Sequence, residues 1–255
     1  MIKLLTLNCH SWREDNQIEK IKYLAKVIKE KEYDVIALQE VSQKIGIEKN
    51  NFCNILIEEL TNIGAGMYNY IWDFSHIGYD IYEEGLAILT RHKIKESSSF
   101  YVSKNKDYKF YKSRKIVEAI ISINNCDIQF LSCHLGWWND ESESFTHQVD
   151  KLYEHVRNDC SSFIMGDFNN DAFIENEGYD YLLKKPLYDT YNLAVIKDSG
   201  ITVEGKIDGW KDCSSSKRLD LILTNKKSYV ERSEVIFNNK NKEIVSDHYG
   251  VEIEL

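Results

Sequence analysis

The sequence is poor in the features that mark many protein classes. Among its 255 residues there is one proline, Pro186, and no Ser/Gly-rich or low-complexity tract, so no linker divides it. No repeat of solenoid period is present, and no apolar run reaches the length of a membrane span. Six cysteines, at 9, 53, 126, 133, 160 and 213, form no C-x-x-C pair and no His/Cys zinc spacing, which argues against a disulfide or structural-zinc framework. They read as reduced thiols in a cytoplasmic protein. The first residues, Met-Ile-Lys-Leu-Leu-Thr-Leu, are too short for a signal h-region and read as a first strand. A basic stripe is also missing. At a net charge of −9 with scattered lysines, the chain lacks the footprint that backbone-tracking nucleases use, which disfavours nucleic acid as a partner. Nothing marks an obligate protein partner.

What is present is a polar residue at the end of one apolar run after another. LLTLNCH stops at Asn8, DVIALQE at Glu40, IQFLSCH at His134 and SFIMGDFN at Asp167 and Asn169. RLDLIL carries Asp220, and VSDH carries Asp247 and His248. One such ending is ordinary. Six of them, supplying carboxylates, amides and imidazoles without a serine or cysteine nucleophile, predict one polar site where buried strands surface together. The implied chemistry is metal-assisted attack by water.

Periodicity supplies the frame. Residues 16–31 place Ile18, Ile21, Leu24, Ala25 and Ile28 on one helical face, with Asn16 and Glu19 spaced as a capping box. Phe52, Ile55, Leu56, Leu60 and Ile63 form a second stripe that stops at Gly64. Strands are expected over 34–40, 68–74, 85–90, 116–123 and 128–134, with Asn124-Asn125 as a hairpin turn. Helices return near 144–156 and 175–183. The pattern alone indicates one mixed α/β domain over 1–255.

Asn8 in LNCHSW, Glu40 in LQEV, the GDFN of 166–169 and the SDH of 246–248 resemble, in order and spacing, the endonuclease/exonuclease/phosphatase superfamily of metal-dependent phosphoesterases related to pancreatic deoxyribonuclease. The resemblance spans the chain. It implies a four-layer α/β/β/α sandwich, two packed mixed β-sheets flanked by helices, and Mg²⁺ as cofactor, with Mn²⁺ as a substitute. Glu40 is expected as the main ligand, since Mg²⁺ prefers carboxylate oxygen. Asn8 supplies a neutral oxygen or fixes the metal's water, and Asp247 lies near the metal. The plainer readings are a solvent-facing strand-end Glu and a turn Asn.

Gly166 permits an unusual backbone angle, and Asp167 and Asn169 project together if the segment stays extended. The resemblance implies that Asp167 orients or deprotonates water or serves the leaving group, and that Asn169 donates to a phosphate oxygen. His134 and His248 divide the donor and base tasks. Asp220 is expected behind His248, with Glu84 a weaker partner for His134.

Trp137, Trp138 and Trp210, with Asp208, are expected to bind substrate by stacking on a ring and bonding to it. The plainer reading buries these indoles under loops. The HLGWW and GKIDGW segments also resemble a subgroup of intracellular sugar-phosphate phosphatases that includes maltose 6′-phosphate phosphatases. The expectation is a phosphatase of a small sugar phosphate, with a deoxyribonuclease or other phosphodiesterase as the alternative.

Overall fold

The computed structural model describes residues 1–207, 209–211 and 214–255. In chain order its first half consists of β1 (Lys3–Asn8), α1 (Gln17–Lys31), β2 (Val35–Lys44), α2 (Phe52–Asn62), β3 (Asn69–Gly78), β4 (Tyr82–Thr90), β5 (Lys93–Tyr101), β6 (Lys115–Ile123) and β7 (Cys126–His134). The second half adds α3 (Phe145–Glu154), β8 (Ser161–Asp167), α4 (Gly178–Leu183), β9 (Tyr188–Asp189), α5 (Thr190–Leu193), β10 (Ala194–Lys197), β11 (Asp220–Thr224), β12 (Val230–Ile236) and β13 (Gly250–Glu254). One sheet runs β10-β12-β13-β1-β2-β4-β3 and the other β5-β6-β7-β8-β11-β9.

The central strands are covered on both faces, and their side-chain alternation sorts them into three apolar layers. Leu4, Val35, Ala37, Ile88 and Ile253 of the first sheet meet Val117, Phe130, Phe163, Met165 and Ile222 of the second. Leu5, Leu7, Ile36 and Leu38 point the other way, onto Ile21, Leu24 and Ile28 of α1 and Leu56 and Leu60 of α2. Leu131, Ile164 and Leu223 likewise pack on Phe145 and Val149 of α3 and Leu182 of α4. Helices, two sheets and helices make the expected α/β/β/α sandwich.

Local chemistry explains the boundaries. Asn124 and Asn125 take φ of 51° and 63° between the paired Ile123 and Cys126, the conformation of a two-residue type I′ hairpin. The helix α2 ends in a Schellman arrangement: Gly64 has φ of 67°, its N–H bonds the Thr61 carbonyl, and the Ala65 N–H bonds that of Leu60. The capping box at Asn16 does not form. Asn16 is left-handed (φ 54°, ψ 36°) and its side chain makes no cap bond, because a side-chain cap needs an extended N-cap residue. Its carbonyl instead accepts from Glu19 and Lys20. Ile18, expected on the buried face of α1, is exposed. The strand β5 escaped the pattern, since KIKESSSFY is a polar edge strand without alternation.

Topology gathers the polar ends. The pairs β1–β2 and β7–β8 are parallel, which aligns the ends of β1, β7 and β8. Asp220 begins β11 rather than ending it. Because β11 is antiparallel to β8, that start lies opposite Asp167. Asp247 and His248 precede β13, which is antiparallel to β1. Glu40 lies within β2, where the register with β4 shifts between Leu38 and Val41 and Glu40 takes φ of 51°. That bulge re-aims one side chain without ending the strand. Beneath the edge, the Gln39 amide donates to Ser132 across the inter-sheet core at 3.2 Å, and Ser132 donates to the Leu38 carbonyl at 3.1 Å. This buried link ties the two sheets together directly under the site.

Candidate active site

Asn8 joins the two sheets at the edge. Its amide nitrogen donates to Glu40 Oε1 at 2.9 Å and Asp167 Oδ2 at 3.2 Å, while its oxygen accepts from the His10 N–H at 3.1 Å. Asp167 also accepts from the Asn169 N–H at 2.8 Å, which fixes the turn after β8. The Asn169 side chain donates to the Leu135 carbonyl at 3.0 Å and accepts from Trp210 Nε1 at 3.2 Å. Close packing explains the GDFN glycine: a Cβ on Gly166, at φ of 153°, would lie 2.0 Å from the Cys133 carbonyl oxygen.

Behind these residues, His248 Nδ1 sits 2.9 Å from Asp220 Oδ2. His248 Nε2 lies 3.8 Å from Asp167, and His134 Nε2 is 3.6 Å from Asp167 and 4.0 Å from Glu40. The two imidazoles are driven apart in charge. Burial opposes protonation of His248, but the Asp220 and Asp167 carboxylates outweigh it and hold its pKa well above the ordinary value. Burial, with Arg114 and His248 nearby, pushes His134 well below. Burial raises Asp167 to about 6 and, helped by Glu84 and Asp247, raises Glu40 to about 8. Asp247 is raised by burial as well.

Crowded carboxylates, buried at Asp167 and half-buried at Glu40 and Asp247, with raised pKa values are what a cation-binding site presents without its counter-charge. Among the described residues two groups of donors have ligand atoms within 4.8 Å of one another: the buried Asp167, Asp220 and His248, and the half-buried His10, Glu14 and Asp247. Asp220 Oδ1 is buried and makes no hydrogen bond among the described residues. The donor set is rich in oxygen and so suits a hard cation such as Mg²⁺.

The site opens into a cavity of about 640 Å³ whose walls include Glu40, His134, Asp167, Asn169 and His248. Glu84 and Trp137 also line it, but not as the sequence suggested. Glu84 Oε1 lies 3.3 Å from His76 Nε2, so its histidine partner is His76 and not His134. Trp138 faces away from the cavity and packs beside Phe145 and Tyr181, with ring centroids 6.1 and 6.2 Å apart. The chain turns here, with the Asp140 N–H bonding the Trp137 carbonyl at 3.2 Å, so the two rings diverge and only Trp137 lines the cavity. Trp210 packs against Val203, Ile207 and Leu219 and bonds Asn169. It therefore braces a site residue, and no stacking surface on the cavity wall is formed by it. Asp208 lies outside the described residues. The cavity also takes in His76 and Arg114, which sequence reasoning missed because neither ends an apolar run or sits in a motif. Glu14 was missed for the same reason, and His10, although it stands within LNCHSW, was given no role. They pair at 2.7 Å, and His10 Nδ1 lies 3.5 Å from Asp247.

Residues 5–248 match the model of the Endonuclease/Exonuclease/phosphatase family. The chain belongs to this family. Among solved structures it is similar to an endonuclease/exonuclease/phosphatase family protein from Leptotrichia buccalis C-1013-b, at 42% identity and a TM-score of 0.94, with 100% of this chain and 99% of that one covered. A mannosyl-6-phosphatase from Bacteroides thetaiotaomicron VPI-5482, Bt3783, superposes at a TM-score of 0.75 and 18% identity over 100% and 99% of the two chains. TDP2 from D. rerio, complexed with single-strand DNA product, gives 0.69 at 15% over 99% and 97%. The last two likenesses show the fold alone. None of the curated proteins compared matches. As a member of the endonuclease/exonuclease/phosphatase family, the protein is a phosphoester hydrolase with a candidate metal site.

Proposed function

We propose that the protein is a Mg²⁺-dependent phosphomonoesterase acting on a small sugar phosphate of the maltose 6′-phosphate type, in the cytoplasm. The observation that carries this reading is a cavity of about 640 Å³, lined by Glu40, His134, Asp167 and His248, whose volume suits a small molecule. The net charge of −9 supports it, because a polyanion would be repelled at long range. A sugar phosphate phosphatase also occurs on this fold, in the Bacteroides mannosyl-6-phosphatase.

Glu40 and Asp247, with Asn8 holding Glu40 in place, are the residues that would hold Mg²⁺. When bound, the ion supplies positive charge against the phosphoryl oxygens. The protein's own groups divide the rest. His248, kept cationic by Asp220, donates from Nε2 to a non-bridging phosphoryl oxygen as charge develops there. Asp167, oriented by the Asn8 amide and the Asn169 N–H, aligns the attacking water and takes its proton. Neutral His134 beside Asp167 provides a second hydrogen-bonding position. The Asn169 side chain, braced by Trp210 and Leu135, keeps a second amide N–H that would donate to a phosphate oxygen.

The test is a panel of hexose 6-phosphates, nucleotides and single- and double-stranded DNA, assayed with Mg²⁺ and in excess chelator. Phosphate release from a hexose phosphate, abolished by chelator, is the expected result. Efficient DNA cleavage at physiological salt with no phosphate released from any sugar phosphate would overturn the reading in favour of a nuclease.

A further inference from the structure

The Asp220 carboxylate is held at one oxygen only. Its Oδ2 meets His248 Nδ1 at 2.9 Å, whereas Oδ1 is buried and makes no hydrogen bond among the described residues. A pair joined by a single side-chain bond keeps its geometry only if the backbone under each partner is fixed. Strand pairing fixes Asp220 on one side alone. On the side of β11 away from β8, β9 pairs with Leu223 and Thr224, and among the described residues no strand covers Asp220 there. Thr202 takes that place. It is fully buried and does not line the cavity. Its Oγ1 accepts from the Leu219 N–H at 3.0 Å and from the Asp220 N–H at 3.2 Å. Its carbonyl accepts from the N–H of Tyr249, the residue after His248, at 2.8 Å. One residue thus bonds the main chain beneath both partners, which are 28 positions apart in sequence.

We infer that Thr202 is a positioning residue for the hydrolytic reaction, its hydroxyl and carbonyl together setting how His248 meets Asp220. The anchor is itself firm. The Thr202 N–H donates to the Lys217 carbonyl at 2.9 Å, and Val203 and Lys217 exchange N–H···O bonds at 3.1 and 2.9 Å in an isolated bridge. The hydroxyl oxygen has two acceptor positions, and both are used on neighbouring N–H groups at the start of β11. Valine fills nearly the same space but accepts nothing, so it would leave two buried N–H groups to turn toward other partners and carry Asp220 with them. Serine keeps the acceptor. Packing and positioning are therefore separable at this residue. The inference rests on the proposed use of His248 and Asp220, and it is independent of which phosphate ester is the substrate.

The experiment measures kcat and KM for Thr202→Val and Thr202→Ser with saturating Mg²⁺, on whichever of 4-nitrophenyl phosphate and bis(4-nitrophenyl) phosphate the wild type hydrolyses faster. Folding is followed by circular dichroism, and crystal structures of the variants give the separation of His248 Nδ1 from Asp220 Oδ2. In Thr202→Val, kcat should fall about tenfold or more with KM little changed, and the separation should open past hydrogen-bonding range. Thr202→Ser should restore both. Added to Asp220→Asn, the valine should cost little more, since it acts through that carboxylate. A folded valine variant with wild-type kcat overturns the role, as does a loss of kcat with the pair still at its wild-type distance, or a serine variant as impaired as the valine. Thr202→Ala repeats the removal of the hydroxyl if valine prevents folding, and the separation alone decides if the wild type hydrolyses neither ester. Wild-type kcat in His248→Ala would overturn both the role of Thr202 and the proposed use of the pair.

Discussion

Glu40 carries the sharpest conflict of any single residue. Burial and the neighbouring Glu84 and Asp247 raise its pKa to about 8, so its charged form is tolerated only with a compensating cation. Glu40→Gln keeps the shape and removes the charge. Phosphatase activity should drop by about a hundredfold or more and recover partly at high Mg²⁺. In chelator the variant's melting temperature should match or exceed the wild type, because a repelled, half-buried carboxyl has been replaced by a neutral group. Thermal melts and a Mg²⁺ titration check both. His248 and Asp220, 2.9 Å apart, act as one unit. Losing His248 should lower kcat about a hundredfold, and Asp220→Asn should cause part of the same loss. The double variant should then be no worse than His248→Ala alone, and full additivity in a kinetic double-mutant cycle would refute the pairing.

At the scale of elements, the close approaches between strands govern what the site tolerates. A Cβ on Gly166 would meet the Cys133 carbonyl oxygen at 2.0 Å, and one on Gly85 would meet the Asp73 carbonyl oxygen at 2.0 Å. In both places the obstacle is backbone, which cannot swing aside as a side chain can. Gly85→Ala and Gly166→Ala should each destabilise the protein by on the order of 3 kcal/mol. Urea unfolding followed by circular dichroism measures this. Gly166→Ala should also shift Asp167, so its activity should fall further than its stability explains. Some elements were legible because their physics is local: the Asn124-Asn125 hairpin needs only two residues that accept positive φ, and the end of α2 needs only Gly64. The bulge at Glu40 was not legible. It depends on β4 pairing alongside β2, a contact between residues more than forty positions apart.

Over the whole molecule, Asp34 fastens three strands at the edge opposite the site. It accepts from the Lys3 N–H at 2.8 Å, from Arg91 at 3.0 and 3.1 Å, and faces His92 Nε2 at 2.7 Å. Burial tends to raise its pKa, but these donors prevail and hold it below the ordinary value. Because the folded value lies below the unfolded one, the stabilisation is complete above the usual carboxylate range and is lost as pH falls through the depressed folded value. Asp34→Asn should therefore cost on the order of 2 kcal/mol at pH 7 and flatten the acid limb of the stability curve, as measured by thermal melts from pH 7 to pH 3. Among the described residues no helix is long and apolar enough to cross a membrane. The net charge of −9 predicts weak DNA binding at physiological salt, which an electrophoretic mobility assay tests.

The sequence by itself determined which residues surface where apolar runs stop, and the family those residues mark. Asn8, His134 and Asp167 reach the site at strand ends because strand burial is written into contiguous runs, whereas Glu40 at a bulge, Asp220 at a strand start, and Asp247 and His248 ahead of β13 reach it through strand pairing. Tertiary structure alone decided the pairings. Glu84 belongs to His76, Trp138 turns into the helix layer, and Trp210 braces Asn169. It also decided that Arg114 and His76 share a cavity wall with Trp137. The physical reason is that a hydrogen bond depends on a distance of about 3 Å between atoms, and chain spacing between residues dozens of positions apart does not specify it.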